Sequence, residues 1–151
     1  MKIRMLRNEE QPPWNLLLMA DPSKDMVSSY LKGGICYISE TANSQTQGVI
    51  VMLPTSKEKL EIMNLAVDER MQGKGVGTKL LRHGIMYAKE EGYKTIDIGT
   101  GNSSIYQLAL YQKVGFRIMS IEHDFFTMNY PDPIFENGIQ CRDMIRLSME
   151  I

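Results

Sequence analysis

Asn64-Leu65-Ala66-Val67-Asp68-Glu69-Arg70-Met71-Gln72-Gly73-Lys74-Gly75-Val76-Gly77-Thr78 is the stretch on which the reading of this chain turns. It begins at the end of an apolar run, Leu60 to Val67, that reads as a strand, and it leads into a helical pattern. In that pattern Val76, Leu80, Leu81, Ile85 and Ala88 share one face and Lys79, Arg82 and Lys89 lie opposite. Glycines between a strand and a helix let the backbone approach a ligand closely. The free N–H groups of the helix start point outward, and the macrodipole adds partial positive charge there. Such a turn is a cradle for an anion, and a pyrophosphate fits it. Lys74 and Arg70 would add charge nearby. Two phosphate motifs fail against it: the dinucleotide fingerprint needs glycine where Thr78 stands, and the P-loop needs Ser or Thr after Lys74, where Gly75 stands. A nucleotide-binding enzyme is therefore disfavoured.

Working outward, Met1–Leu6 reads as a first strand, and Pro12-Pro13 precede a short apolar helix, Trp14–Ala20. Asp21-Pro22 would open a second helix with the proline in its first turn, closed by Gly33-Gly34. Ile35–Glu40 and Gln47–Leu53 are strand-like runs around the polar loop Thr41–Thr46. Beyond the amphipathic helix, with Gly92 as a cap past its end, come a strand at Thr95–Ile98, a glycine loop Gly99-Thr100-Gly101 and a helix at Ser104–Val114. A final strand pair is expected at Phe116–Ile121 and Cys141–Met149. The order, strands first and then β-α-β-α-β-β, implies an α/β three-layer domain with helices packed on a mixed sheet.

The bulk numbers agree. The 151 residues suit one domain spanning 1–151. Seventeen basic and eighteen acidic residues leave a net charge of -1, so no long-range field draws the chain to nucleic acid or an anionic membrane. Cys36 and Cys141 lack zinc-site spacing and read as small buried residues; no metal site is expected. No signal peptide or membrane span is visible, and the expected location is the cytoplasm.

Gln72-x-x-Gly75-x-Gly77 resembles the acetyl-CoA pyrophosphate loop of the GNAT (Gcn5-related N-acetyltransferase) superfamily, Arg/Gln-x-x-Gly-x-Gly/Ala. Asn64–Asp68 resembles that family's fourth strand, and Leu110-Tyr111-Gln112-Lys113-Val114-Gly115-Phe116 its LYxKxGF segment. The three lie in the family's order and cover about residues 60–116.

The resemblance implies a mixed, mostly antiparallel twisted sheet of about seven strands flanked by about four helices, with the fourth strand bulged and splayed from the fifth. It implies an N-acetyltransferase that moves the acetyl group of acetyl-CoA to a primary amine of a small molecule or peptide by direct attack in a ternary complex. The alternative is a non-catalytic acyl-CoA-binding or sensing domain of the same fold. The cofactor contacts it implies are the backbone of Leu65, Ala66 and Val67 and the loop Gln72, Gly73, Lys74, Gly75, Val76, Gly77 and Thr78. A backbone N–H in the strand would polarise the thioester carbonyl. Tyr111 matches the tyrosine that protonates the leaving thiolate. Glu61, a charge within an apolar strand, matches a position where some members hold a general base. In one departure, Ser104 stands where the family often carries an Asn beside the cofactor; Asn102 lies two residues earlier, and either could make the contact.

The acceptor itself is not named by any motif, and a homodimer is an expectation at the family level only. The segment His123–Gln140 is unusually long for a connection. It holds Phe125, Phe126, Tyr130, Phe135, Asp124, Asp132 and Glu136, no Lys or Arg, and the stiffening Pro131 and Pro133. Aromatic faces and carboxylates together suit a wall for a cationic amine.

Overall fold

A computed structural model describes residues 1–151. The strands are β1 (Lys2–Met5), β2 (Ile35–Glu40), β3 (Thr46–Pro54), β4 (Lys59–Val67), β5 (Thr95–Gly101), β6 (Arg117–Glu122), β7 (Ile134–Glu136), β8 (Ile139–Cys141) and β9 (Met144–Glu150). The helices are α1 (Trp14–Ala20), α2 (Lys24–Gly33), α3 (Val76–Glu90), α4 (Ile105–Val114) and α5 (Phe125–Asn129). Seven strands form one sheet in the order β1-β2-β3-β4-β5-β9-β6, antiparallel throughout except for the parallel pair β4 and β5. The expected sheet is present, with five α-helices rather than about four and a separate β7–β8 hairpin. No helix is long and apolar enough to cross a membrane.

Each face of the sheet carries its own core. On one, Leu80, Leu81 and Ile85 of α3 pack on Ile50, Met52 and Ile96. On the other, Leu16 and Leu17 of α1 and Val27 of α2 pack on Val49 and Val51. The adjacent residues of β3 thus serve opposite cores, as a two-residue side-chain period requires.

Two features of β4 position the site. The first is a bulge. Val51 pairs with Asn64 and Met52 with Ile62, so Met63 is the extra residue. Before it Leu60 and Ile62 face α3; after it Leu65 and Val67 take that face while Asn64 and Ala66 turn toward α1 and α2. The second is the splay. Pairing of β4 with β5 runs from Lys59–Thr95 to Ile62–Ile98 and stops, although β5 stays paired with β9 as far as Gly101 and Met144. From Met63 onward the β5 side of β4 is an open edge.

Several boundaries differ from the sequence reading. Helix α2 begins at Lys24 with Ser23 as cap, its Oγ accepting from the Met26 N–H at 3.2 Å, so Pro22 precedes the helix instead of lying in its first turn. Gly99-Thr100-Gly101 belongs to β5, held by Arg146, Ile145 and Met144 of β9. The last strand starts at Met144, and Cys141 lies on β8. The long connection His123–Gln140 is structured by α5 and most of the hairpin. Both cysteines are buried and free, and burial pushes the Cys36 thiol up to about 12.

Candidate active site

The glycine turn becomes a set of unpaired donors for a local reason. Gly75 caps α3 with φ +84°, a left-handed conformation that favours glycine, and it offers no side chain to cap the helix. No acidic residue lies in the first turn. The first intrahelical bond is Lys79 N–H to Gly75 O at 3.1 Å, so the N–H groups of Val76, Gly77 and Thr78 precede the ladder. These three residues, with Gln72, Gly73 and Gly75, line a cavity of about 150 Å³ closed on the far side by Tyr106, Gln107, Leu110 and Tyr111 of α4. Lys74 is exposed and outside its wall. Arg70 is paired with Asp68 at 3.1 Å.

Leu65, Ala66 and Val67 form the third wall of this cavity. The Asp68 N–H donates to Gln47 O of β3 at 2.8 Å. Strand groups alternate sides, so Ala66 also points its backbone at β3, while Leu65 and Val67 direct theirs into the gap left by β5. The Val67 carbonyl is engaged by Gln72 Nε2 at 3.0 Å, which ties the turn to the strand end. Of the three backbone units expected to meet the cofactor, the N–H groups of Leu65 and Val67 are therefore the ones that face the cavity.

A second cavity, of about 820 Å³, opens on the α1/α2 side and shares Met19, Ala20, Leu65, Gln107 and Tyr111 with the first. Tyr111 is 4% exposed, and burial alone raises its phenol pKa above the ordinary value. Ser104 lies in the wall of the larger cavity, where its hydroxyl donates to Glu136 at 2.8 Å. Asn102 lines neither cavity. Its Nδ2 donates to Gln140 O at 3.1 Å and its Oδ1 accepts from the N–H groups of Arg142 and Asp143, so the amide latches β5 to the turn after β8. The structure thus brings neither Asn102 nor Ser104 to the glycine turn.

Glu61 sits before the bulge and outside the wall of both cavities. Its carboxylate lies 3.9 Å from Arg146. Burial raises its pKa, Arg146 opposes the rise and Asp97 adds to it.

Of the seven residues of the expected aromatic and acidic wall, five are in place. Phe126, Tyr130, Asp132, Phe135 and Glu136 line the larger cavity. Asp124 does not: it pairs with Arg142 at 3.2 Å, and Phe125 lies against Arg146 at 5.8 Å. Asp21, Asp25 and Asn64 are among the residues of this cavity that escaped the sequence reading. Asp21, read as a helix opener, accepts from Tyr30 and Tyr130 hydroxyls at 3.2 and 2.9 Å. Asn64, read only as part of a strand, is 3% exposed in the cavity wall. Its signal was present, a second polar residue in Leu60–Val67 beside Glu61.

Known proteins share this fold. The family model for the acetyltransferase (GNAT) family matches residues 4–116. The N-acetyltransferase YvbK of Bacillus subtilis strain 168 is 52% identical over 152 residues, 99% of this chain and 97% of that protein. A GNAT family acetyltransferase from Elizabethkingia anophelis, solved with acetyl-CoA bound, has a TM-score of 0.96 at 47% identity, covering 99% of this chain and 97% of its own. The IAA acetyltransferase of Bacillus cereus ATCC 14579 has a TM-score of 0.95 at 49% identity and covers 99% of both chains. An uncapped helix start facing a splayed strand, with matches of this extent, leads to one assignment: the chain belongs to the GNAT acetyltransferase family.

Proposed function

We propose that the protein is an acetyl-CoA:amine N-acetyltransferase acting by direct attack within a ternary complex, and that residues 1–151 work as one catalytic domain. The observation that carries this reading is the junction of the two cavities at Leu65 and Tyr111. A donor in the smaller cavity and an acceptor in the larger one would meet there. The smaller cavity suits acetyl-CoA chemically: three N–H groups at the start of α3 face the position of a pyrophosphate, and the open edge of β4 offers N–H groups to a pantetheine amide and a thioester carbonyl. The Elizabethkingia relative, at 47% identity, carries acetyl-CoA.

The residues then divide the chemistry. Leu65 and Val67 supply backbone N–H donors, one of which stabilises negative charge as it develops on the carbonyl oxygen. As the amine nitrogen bonds to the acetyl carbon and the C–S bond breaks, Tyr111 O–H gives its proton to the departing thiolate. The phenol carries that proton at neutral pH, as any tyrosine does, and burial only strengthens its hold. The proton lost by the nitrogen passes through water to Glu61, which lies two residues before Met63 of the larger cavity. No three His, Cys, Asp or Glu side chains are grouped closely enough to hold one metal ion.

Thiol release from acetyl-CoA tests the reading directly. Release should require an added primary amine and yield one acetylated amine per thiol. Acetyl-CoA binding without any amine-dependent release would replace the enzyme by a non-catalytic acyl-CoA-binding domain.

A further inference from the structure

Every charged side chain in the wall of the larger cavity is acidic: Asp21, Asp25, Asp132 and Glu136, with no Lys, Arg or His among its lining residues. The whole chain carries 17 basic and 18 acidic residues, so this bias is local. Elsewhere most carboxylates lie within reach of a basic side chain, among them Glu10 and Glu40 on Arg4, Asp68 on Arg70 and Asp124 on Arg142. In the cavity no carboxylate is paired with a cation. Asp21 and Glu136, half-buried, are fixed by hydroxyls: Tyr30 and Tyr130 donate to the first, and Ser103 and Ser104 to the second at 3.3 and 2.8 Å. Asp25 and Asp132 stand exposed at the rim with no hydrogen bond or ion pair of their own.

A second, independent observation points to a donor-bearing ligand. Asn64 is 3% exposed in the same wall. Its Nδ2 donates to Leu17 O at 3.0 Å and to Tyr30 Oη at 2.9 Å. A carbonyl can only accept, so the orientation of the amide is fixed and Oδ1 is the atom left over. That oxygen is buried and has no partner. An unpartnered acceptor in a wall whose charged side chains are all acidic favours a ligand with N–H groups and positive charge. An anionic ligand would meet like charge on every side. Phe126 and Tyr130, ring centroids 5.7 Å apart, and Phe135 add aromatic rings to the same wall.

Resting on the acetyltransferase reading above, we infer that the acceptor is an elongated molecule with at least two cationic nitrogens. One nitrogen, as the free amine, reacts at the Leu65–Tyr111 junction on the Asn64 side. Another stays protonated among Asp25, Asp132 and Glu136, and the spacer between them lies along the aromatic wall.

The test compares an α,ω-diaminoalkane series with n-alkylamines of the same chain lengths in the thiol-release assay. At low salt the best diamine should exceed its matched monoamine by about tenfold or more in kcat/KM, through KM. The ratio should fall with ionic strength, because rim charges are screened. The Asp25→Asn, Asp132→Asn double variant changes only surface groups and should lower the ratio about three- to tenfold by raising the diamine KM. Its acetyl-CoA affinity, read by calorimetry, checks that it is folded. Equal rates for diamine and monoamine, or a ratio unmoved in the folded double variant, would overturn the dicationic acceptor and leave amine acetylation standing. Acetyl-CoA binding with no turnover of any amine would overturn both.

Discussion

At Tyr111 the ring and the hydroxyl separate cleanly. The ring packs beside Phe116, with centroids 6.3 Å apart, within the core on the α3 side. Phenylalanine keeps that packing, so Tyr111→Phe should fold and bind acetyl-CoA as the parent does. It removes the proton donor, and turnover should fall by about 10²- to 10⁴-fold if protonation of the thiolate limits the rate. An unchanged kcat across the pH range would take Tyr111 out of the reaction. Glu61 needs two readouts, because a half-buried carboxyl affects stability whether or not it takes part in catalysis. If it receives the amine's proton, Glu61→Gln should abolish the acidic limb of the pH–rate profile. Its pKa in the folded protein lies above the unfolded value, chiefly through burial. The folded state therefore holds this proton more tightly, and the resulting stability is present below the unfolded pKa and lost as pH rises through the folded one. The Gln variant should lose less thermal stability than the parent between acidic and neutral pH. That stability change without any change in the rate profile would make Glu61 a structural residue.

At the scale of elements, the start of α3 is the feature whose removal should matter most. A Cβ built on Gly75 would meet nothing within 4 Å, so a side chain there has room. Its φ of +84° strains any other residue by about 1–2 kcal/mol. A carboxylate near a helix N-terminus returns about 0.3–1 kcal/mol through the dipole. Gly75→Glu should therefore fold while placing negative charge where the pyrophosphate is proposed to sit. Acetyl-CoA affinity by calorimetry should drop at least about tenfold, a loss of about 1.4 kcal/mol. Gly75→Ala, carrying the strain without the charge, should lose much less. A folded Gly75→Glu with parental affinity would move the cofactor elsewhere. This element was legible in the sequence because its causes are local: glycines at a strand end, then apolar residues at helical spacing. Helix α1 was legible to the residue for the same reason, with Pro12-Pro13 before it. Where a segment without a strand-like pattern is held by a distant partner, the reading failed. Gly99-Thr100-Gly101 looks like a loop and becomes strand because β9 holds it from more than forty residues away. The hairpin carried a local signal that went unread. Asn137 and Gly138, at φ +55° and +72°, are the two-residue turn between Glu136 and Ile139. In the site, Asn102 resembled a cofactor contact by position alone; only the fold shows its amide bound to the β8–β9 turn.

For the whole molecule, one geometric event organises both cavities. Beyond Ile62 and Ile98 strands β4 and β5 part, while β4 stays on β3 and β5 on β9. The split exposes the edge of β4 to the smaller cavity and leaves Gly99, Thr100 and Gly101 as a wall of the larger one. The two halves of the sheet meet directly only through four register pairs, Lys59–Thr95 to Ile62–Ile98. A continuous core also crosses that seam, since Leu60 and Ile62 of β4 share a cluster with Ile96 and Ile98 of β5, Leu81 of α3 and Leu147 of β9. Shared burial of this kind should make the halves unfold together, in a single calorimetric transition. Acetyl-CoA held in the smaller cavity would touch β4, α3 and α4 at once and so stabilise that transition as a unit. At a ligand concentration about 100 times Kd the gain is about 2.7 kcal/mol. For a chain of this size that corresponds to a rise of about 5–10 °C in Tm. Differential scanning calorimetry with and without acetyl-CoA measures both quantities. Two resolved transitions would divide the chain at the β4–β5 seam into separate domains. A single transition unmoved by saturating acetyl-CoA would show that the groove beside α3 does not bind it.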